Sequence, residues 1–162
     1  MKASKNSLSP TIQMRNSGFT LIELMVTIAV LAIIVGIAAP SISTQLANQR
    51  VKSTTATLAN ALKEAKAESI IRRQNVTLSY NNTSTPKMIT VTTPDSKTIA
   101  NYSYNVKSTI TDSESKNPIT FEPSKRVEST VYTICDENAA ATPRQVSISK
   151  LANISIINSG SC

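Results

Sequence analysis

Apolar residues run without a break along one stretch of this chain, recur at helical spacing along a second, and alternate with polar residues along the rest. The first stretch is Gly18 to Pro40, GFTLIELMVTIAVLAIIVGIAAP, in which Phe19 to Ala39 carries the single charge Glu23. A helix of that length reaches about 32 Å, close to the thickness of a hydrocarbon core. Beyond Pro40 the residues Ile42, Leu46, Val51, Leu58, Leu62, Ala65 and Ile70 recur mostly at three- to four-residue steps, as on a helix with one core face. Its other positions carry Arg50, Lys52, Lys63, Glu64, Lys66, Glu68, Arg72 and Arg73, read as a solvated face on which Glu68 and Arg72 stand at i,i+4 spacing. One helix is therefore predicted from about Phe19 to Arg73. A bend is predicted near Pro40, because proline removes a backbone donor and crowds the preceding turn.

From Asn75 the period changes to two. Val76 to Tyr80 and Met88 to Thr93 bracket the polar link Asn81 to Lys87 and read as a hairpin. Thr98 to Val106 is a third predicted strand, Lys107 to Lys116 a charged surface loop, and Ile119 to Glu122 and Val127 to Cys135 two more strands. Asp136 to Pro143 is predicted as a loop, with Gln145 to Ser149 and Ile154 to Ile157 pairing as a last hairpin. A long helix on antiparallel sheet is an α+β architecture.

The order of residues around the apolar stretch restricts its role. Residues 1–18 carry Lys2, Lys5 and Arg15 and no acid, which sets that end on the cytoplasmic side and the remainder outward. A secretory signal peptide cut after Ile37-Ala38-Ala39, or a plain N-terminal anchor, is the simpler alternative. A signal peptide's apolar core is shorter, however, and carries no acid. Neither alternative accounts for glycine, aromatic, polar and acidic residues in this order. An unpaired carboxylate at Glu23 costs roughly 2.5 to 3.5 kcal/mol on insertion scales, so a partner is expected for it.

Gly18-Phe19-Thr20-Leu21-Ile22-Glu23 resembles the class III signal of type IV pilins and type II secretion pseudopilins. The resemblance implies that prepilin peptidase cuts between Gly18 and Phe19, that Phe19 is then N-methylated, that Glu23 serves assembly, and that the helix kinks at Pro40. It also implies a pilin-like fold, a leader over residues 1–18, a filament-core helix over 19–40 and a periplasmic domain over 41–162. The chain is then a single-pass inner-membrane protein that enters a pilus or pseudopilus. A free ammonium at Phe19 gives Glu23 a partner within an apolar filament core, so its burial becomes conditional on assembly. The runs Leu58 to Leu62, Glu64 to Ile70 and Asn75 to Leu78, with Cys135-Asp136 and Pro143 to Ser149, resemble the FimT/GspH group of minor pilins and pseudopilins. Other minor pilins and the major pilin, or the corresponding pseudopilins, are the partners this implies.

Composition narrows the chemistry. The chain has 162 residues, two cysteines, three glycines and no histidine. No catalytic residue, cofactor-binding residue or metal ligand is expected. The three glycines, Gly18, Gly36 and Gly160, cannot make a phosphate cradle, and Ser113 to Lys116 and Ser147 to Lys150 fit S-x-x-K without its companion motifs. Cys135 and Cys162 lie in the part predicted to be exported, where thiols oxidise, so a disulfide is expected, with two free buried thiols as the alternative. Removing Lys2, Lys5 and Arg15 with the leader leaves 14 of 17 basic side chains against 10 acidic ones, so the formal charge falls from +7 to +4. Such mild basicity does not imply nucleic acid. DNA is nevertheless a further partner to weigh, because members of the resembling group that bind it carry G-R-x-R near the C-terminus. This chain reads Ala152-Asn153-Ile154-Ser155 there, leaving Arg144, Lys150 and the pair Lys125-Arg126 as candidate contacts.

Overall fold

The computed structural model describes residues 18–158 and 160–162 and, of residues 38–40, the backbone alone. Residues 1–17 of the leader expected over 1–18, and the proline ring on which a kink at Pro40 depends, lie outside the described residues. The chain divides into two compact units, Met1–Ala38 and Ala39–Cys162.

One helix, α1 (Leu21–Arg72), precedes eight strands among the described residues: β1 (Val76–Asn81), β2 (Lys87–Thr92), β3 (Thr98–Tyr104), β4 (Ser108–Asp112), β5 (Ile119–Phe121), β6 (Thr130–Asp136), β7 (Arg144–Ile148) and β8 (Ile154–Ile157). The helix ends where Arg73 takes a left-handed φ of 53°, which turns the chain into β1. The strands form two four-stranded antiparallel sheets, β3-β2-β1-β5 and β4-β6-β7-β8. The architecture is α+β and pilin-like, with the predicted single sheet resolved into two.

In the second unit α1 buries Ala47, Val51, Thr54, Thr55, Leu58, Ala61, Leu62, Ala65 and Ser69, a stripe at three- and four-residue steps. Val51, Leu58, Leu62 and Ala65 share one cluster with Leu78, Ile89 and Val91 of the first sheet and with Ile110, Ile134, Val146 and Ile148 of the second. Three residues expected on the core face lie off it: Ile42 is 54 % exposed, Leu46 57 % and Ile70 37 %. The buried face is filled instead by Val51, Leu58 and Leu62, with the small Ala47, Ala59, Ala61 and Ala65 beside them. Polar Ser69 lies in the stripe by bonding Lys66 O at 2.8 Å.

The segment Lys107 to Lys116, expected as a loop, contains β4. Ser108 and Ile110 turn inward with no exposed surface, while Thr111 faces out, the period-two pattern of an inner strand face. With one apolar residue in the strand, its register against β6 decides the conformation. The outer edge of β4 is closed by side chains from the β1–β2 link and from the start of β2. The Asn82 amide donates to Ile110 O at 2.8 Å and accepts from Ile110 N–H at 3.1 Å, and Lys87 Nζ donates to Ser108 O at 2.9 Å. These bonds join the two sheets. The strand expected from Val127 begins at Thr130.

Candidate assembly and processing site

Gly18 and Phe19 precede the first turn of α1, and both are exposed, Phe19 by 82 %. Thr20 caps the helix: its Oγ1 accepts Glu23 N–H at 3.2 Å and its carbonyl accepts Leu24 N–H at 3.2 Å. Thr20-Leu21-Ile22-Glu23 thus has the spacing of a capping box, with Glu23 at the third helical position against the positive end of the helix. The T-x-x-E spacing was legible in the sequence and names a residue, Thr20, that the reading of the signal left without a role. The cap leaves the Gly18–Phe19 bond outside the helix. A Cβ at Gly18 would meet nothing within 4 Å, so no packing contact within the described chain requires glycine there.

The large apolar side chains from Leu21 to Ile37 are exposed in the isolated chain, from 49 % at Val30 to 77 % at Leu21. A continuous apolar surface of this size exceeds what soluble monomers present, so lipid or neighbouring helices must cover it. Among the described residues no single helix is long and apolar enough to cross a membrane. Leu21–Ile37 reaches that length and composition only together with the part of α1 from Ser41 to Arg72. Glu23 is exposed in this setting.

In the second unit, Cys135 and Cys162 form a disulfide with Cα atoms 6.0 Å apart. Asp136, next in the chain, receives a two-pronged bond from Arg50: Nε to Oδ2 at 2.9 Å and Nη2 to Oδ1 at 2.8 Å. Arg50, expected on the solvated helix face, is therefore a clamp between α1 and the end of β6. The Asp136 side chain is fully enclosed, and its hydrogen bond from Arg50 holds the carboxyl below the usual range, outweighing the opposing effect of burial. The following loop is also tied to the helix, by Thr142 N–H to Asn48 Oδ1 at 2.7 Å and by Asn138 Nδ2 to Ser43 Oγ at 3.3 Å.

Arg144 and Lys150 are not brought together. Arg144 opens β7 opposite Ile134, whereas Lys150 lies in the turn after β7, near Arg126 along a groove that Glu122 and Glu128 also line. The length of β7, Arg144–Ile148, a rise of roughly 13 Å, lies between the two. Of the S-x-x-K pairs, Ser113 Oγ accepts Val131 N–H at 3.3 Å, while Lys116 Nζ pairs with Glu114 at 2.7 Å and Glu128 at 3.2 Å. No group of three or more potential metal ligands occurs among the described residues.

Residues 13–39 match the prokaryotic N-terminal methylation motif, and residues 54–152 match the family model of the type II transport protein GspH. The chain belongs to the GspH family. Proteins of this FimT/GspH-like family are pilins and pseudopilins, structural subunits and not enzymes. No curated relative matches the chain. Among solved structures, two crystal forms of the type IV minor pilin FimU from Pseudomonas aeruginosa (strain PAO1) are similar. One has 15 % identity and a TM-score of 0.56, covering 65 % of this chain and 90 % of that one. The other has 14 % identity and a TM-score of 0.58, covering 67 % and 88 %. The minor pseudopilin EpsH of the type 2 secretion system of Vibrio cholerae is similar at 10 % identity and a TM-score of 0.55, covering 67 % of this chain and 97 % of that one. These likenesses establish the pilin-like fold. Membership of the family implies a membrane-anchored component that assembles with other pilins.

Proposed function

We propose that this GspH-family chain is a minor pilin of a type IV pilus. Prepilin peptidase cuts it between Gly18 and Phe19, Phe19 is N-methylated, and the mature chain enters the priming or tip complex with other minor pilins and the major pilin. Before assembly it crosses the inner membrane once, with residues 41–162 in the periplasm. The observation that carries this reading is the capped signal: an exposed Gly18–Phe19 junction, a helix that starts at the next residue but one, and Glu23 in its first turn among exposed apolar side chains.

The new ammonium at Phe19 and the Glu23 carboxylate neutralise each other when helices pack, which makes the apolar segment selective for filament neighbours. A second reading, a minor pseudopilin of a type II secretion system, is favoured by the match over residues 54–152 to a type II transport family.

Glu23→Ala in the full chain tests the assembly role. Membrane insertion should be unchanged or better, since a costly charge is gone, while the amount in sheared filaments falls. Incorporation equal to wild type would refute the pairing. Deletion of the whole chain separates the two systems: loss of surface pili with secretion intact supports the minor pilin, and the opposite result supports the pseudopilin.

A further inference from the structure

Within the second unit a cleft of about 380 Å³ lies between α1 and the end of β3. Gln49, Arg50, Ser53 and Thr54 line it from the helix, and Ser103, Tyr104 and Asn105 from the sheet side. Its volume falls in the range of small-molecule sites. Three threonines stand close together on this stretch of helix, and two of them bond their own backbone. Thr55 Oγ1 donates to Val51 O at 2.7 Å, and Thr57 Oγ1 donates to Ser53 O at 3.0 Å. Thr54 does not. It is 2 % exposed, it lines the cleft, and its hydroxyl has no hydrogen-bond partner among the described residues. Folded chains rarely leave a buried hydroxyl in that condition, because the bond it made to water in the unfolded chain is lost without replacement. Ser108 Oγ and Thr130 Oγ1 also lack partners, but both are sealed in and lie outside the lining of this cleft, whereas Thr54 is within reach of a ligand.

The other groups around Thr54 are hydroxyls and amides without net charge. Arg50 is the one charged side chain in the lining, and its Nε and Nη2 are already held by the Asp136 carboxylate. Gln49, Ser53 and Ser103 are exposed, and their side chains have no partner among the described residues. Asn105 Oδ1 accepts Lys107 N–H at 3.0 Å, which leaves the Asn105 NH₂ available. Each of these hydroxyls, and the Gln49 amide, can both donate and accept. Tyr104 fixes the sheet-side wall on which Ser103 and Asn105 stand, because its hydroxyl donates to Asn81 O at 3.0 Å and bonds Asn82 Oδ1 at 2.9 Å.

We infer that this cleft binds a neutral saccharide, the terminal rings of a glycan. A sugar carries hydroxyls around a ring, each a donor and an acceptor at once, which is the chemistry that an uncharged set of hydroxyls and amides on two facing walls satisfies. Phosphate, nucleic acid or an acidic peptide would meet a single cation that Asp136 already neutralises. An apolar ligand would leave Thr54, Ser53 and Ser103 without partners and add the loss of their contact with water. An extended peptide offers its donors and acceptors along a line, which suits a strand edge and leaves the helix-side Thr54 unmatched. The site stands apart from the reading of the N-terminal signal and is the same in a pilus or a secretion subunit.

The test uses the full chain in a detergent without a sugar headgroup, applied to an array of immobilised glycans. The array holds neutral glycans built of glucose, galactose, mannose and N-acetylhexosamines beside their sialylated and sulfated forms. The expected result is retention on neutral glycans, no gain from the added anionic groups, and competition by the same glycan free in solution. Thr54→Val exchanges the hydroxyl for a methyl group of nearly the same volume. It should lower the affinity roughly tenfold while Tm stays unchanged or rises, since no bond within the fold is lost. Ser103→Ala, at an exposed position, should weaken binding with Tm unchanged, and Thr55→Val, which does not line the cleft, should leave the affinity as it is. Failure to bind any neutral glycan, binding confined to the sialylated or sulfated forms, or an affinity unchanged in both Thr54→Val and Ser103→Ala would overturn the assignment. A markedly lower Tm in Thr54→Val would overturn it as well, because the hydroxyl would then be bonded within the fold.

Discussion

Removing the disulfide should leave the fold recognisable but much less stable. The bridge joins residues 27 apart in sequence and encloses the end of β6, all of β7 and all of β8. In the chain-entropy model a loop of this length restricts the unfolded chain by roughly 3 to 4 kcal/mol. The unit it stabilises, Ala39–Cys162, has an unfolding entropy of roughly 0.26 kcal/mol/K at the average value per residue, so the loss corresponds to about 12 to 15 °C in Tm. The comparison is between wild type and the double variant Cys135→Ser/Cys162→Ser, each as the full chain in the same detergent, followed by near-ultraviolet circular dichroism during heating. The double variant is preferred to a single one because it leaves no free thiol to mispair. A fall of less than about 3 °C would show that packing alone holds the C-terminus.

Other perturbations test particular contacts. Arg50→Ala leaves the enclosed Asp136 carboxylate with the Asn138 N–H and should destabilise the second unit. Because Arg50 lowers the folded-state pKa of Asp136, its contribution is complete above the unfolded value near 4 and is lost as pH falls through the lower folded value. Unfolding midpoints between pH 2 and 6 should therefore fall less steeply with acid in Arg50→Ala than in wild type. Leu62→Ala, at a fully buried position, should cost about 2 to 5 kcal/mol in denaturant unfolding, whereas Leu46→Ala, 57 % exposed, should stay within about 0.5 kcal/mol. With Arg144 and Lys150 at opposite ends of β7, DNA binding should be weak, on the order of 10⁻⁴ M at physiological salt, and neither Arg144→Ala nor Lys150→Ala should reduce it sharply. Micromolar binding abolished by either substitution would make the DNA reading the better one.

The long helix and most strands were legible because their patterns are dictated locally: unbroken apolarity before Pro40, helical spacing after it, and alternation in Val76–Asn81 or Arg144–Ile148. What was not legible depends on partners distant in sequence. Ser108–Asp112 reads as a polar loop by composition and becomes a strand because β6 pairs with one side and Asn82 and Lys87 bond the other. Ile42 and Leu46 look like core residues by size, but they are 54 % and 57 % exposed, and the buried stripe of the helix runs instead through Ala47, Val51, Leu58, Leu62 and Ala65. Arg50 looks like one solvated cation among many until Asp136 is placed beside it. The signal at Gly18 to Glu23 was legible as a motif, while Thr20's part in it emerges from the hydrogen bond to Glu23 N–H. That β8 lacks an outer neighbour is a property of sheet order, which alternation within a strand does not encode.

Intact-mass analysis of the chain recovered from sheared filaments tests the central claim most directly. The account predicts a polypeptide that begins at Phe19, contains the Cys135–Cys162 disulfide and carries one extra methyl group on its N-terminal nitrogen. A filament-associated chain that keeps residues before Phe19, one that begins at Pro40, or complete absence of the chain from filaments and pseudopili would contradict it.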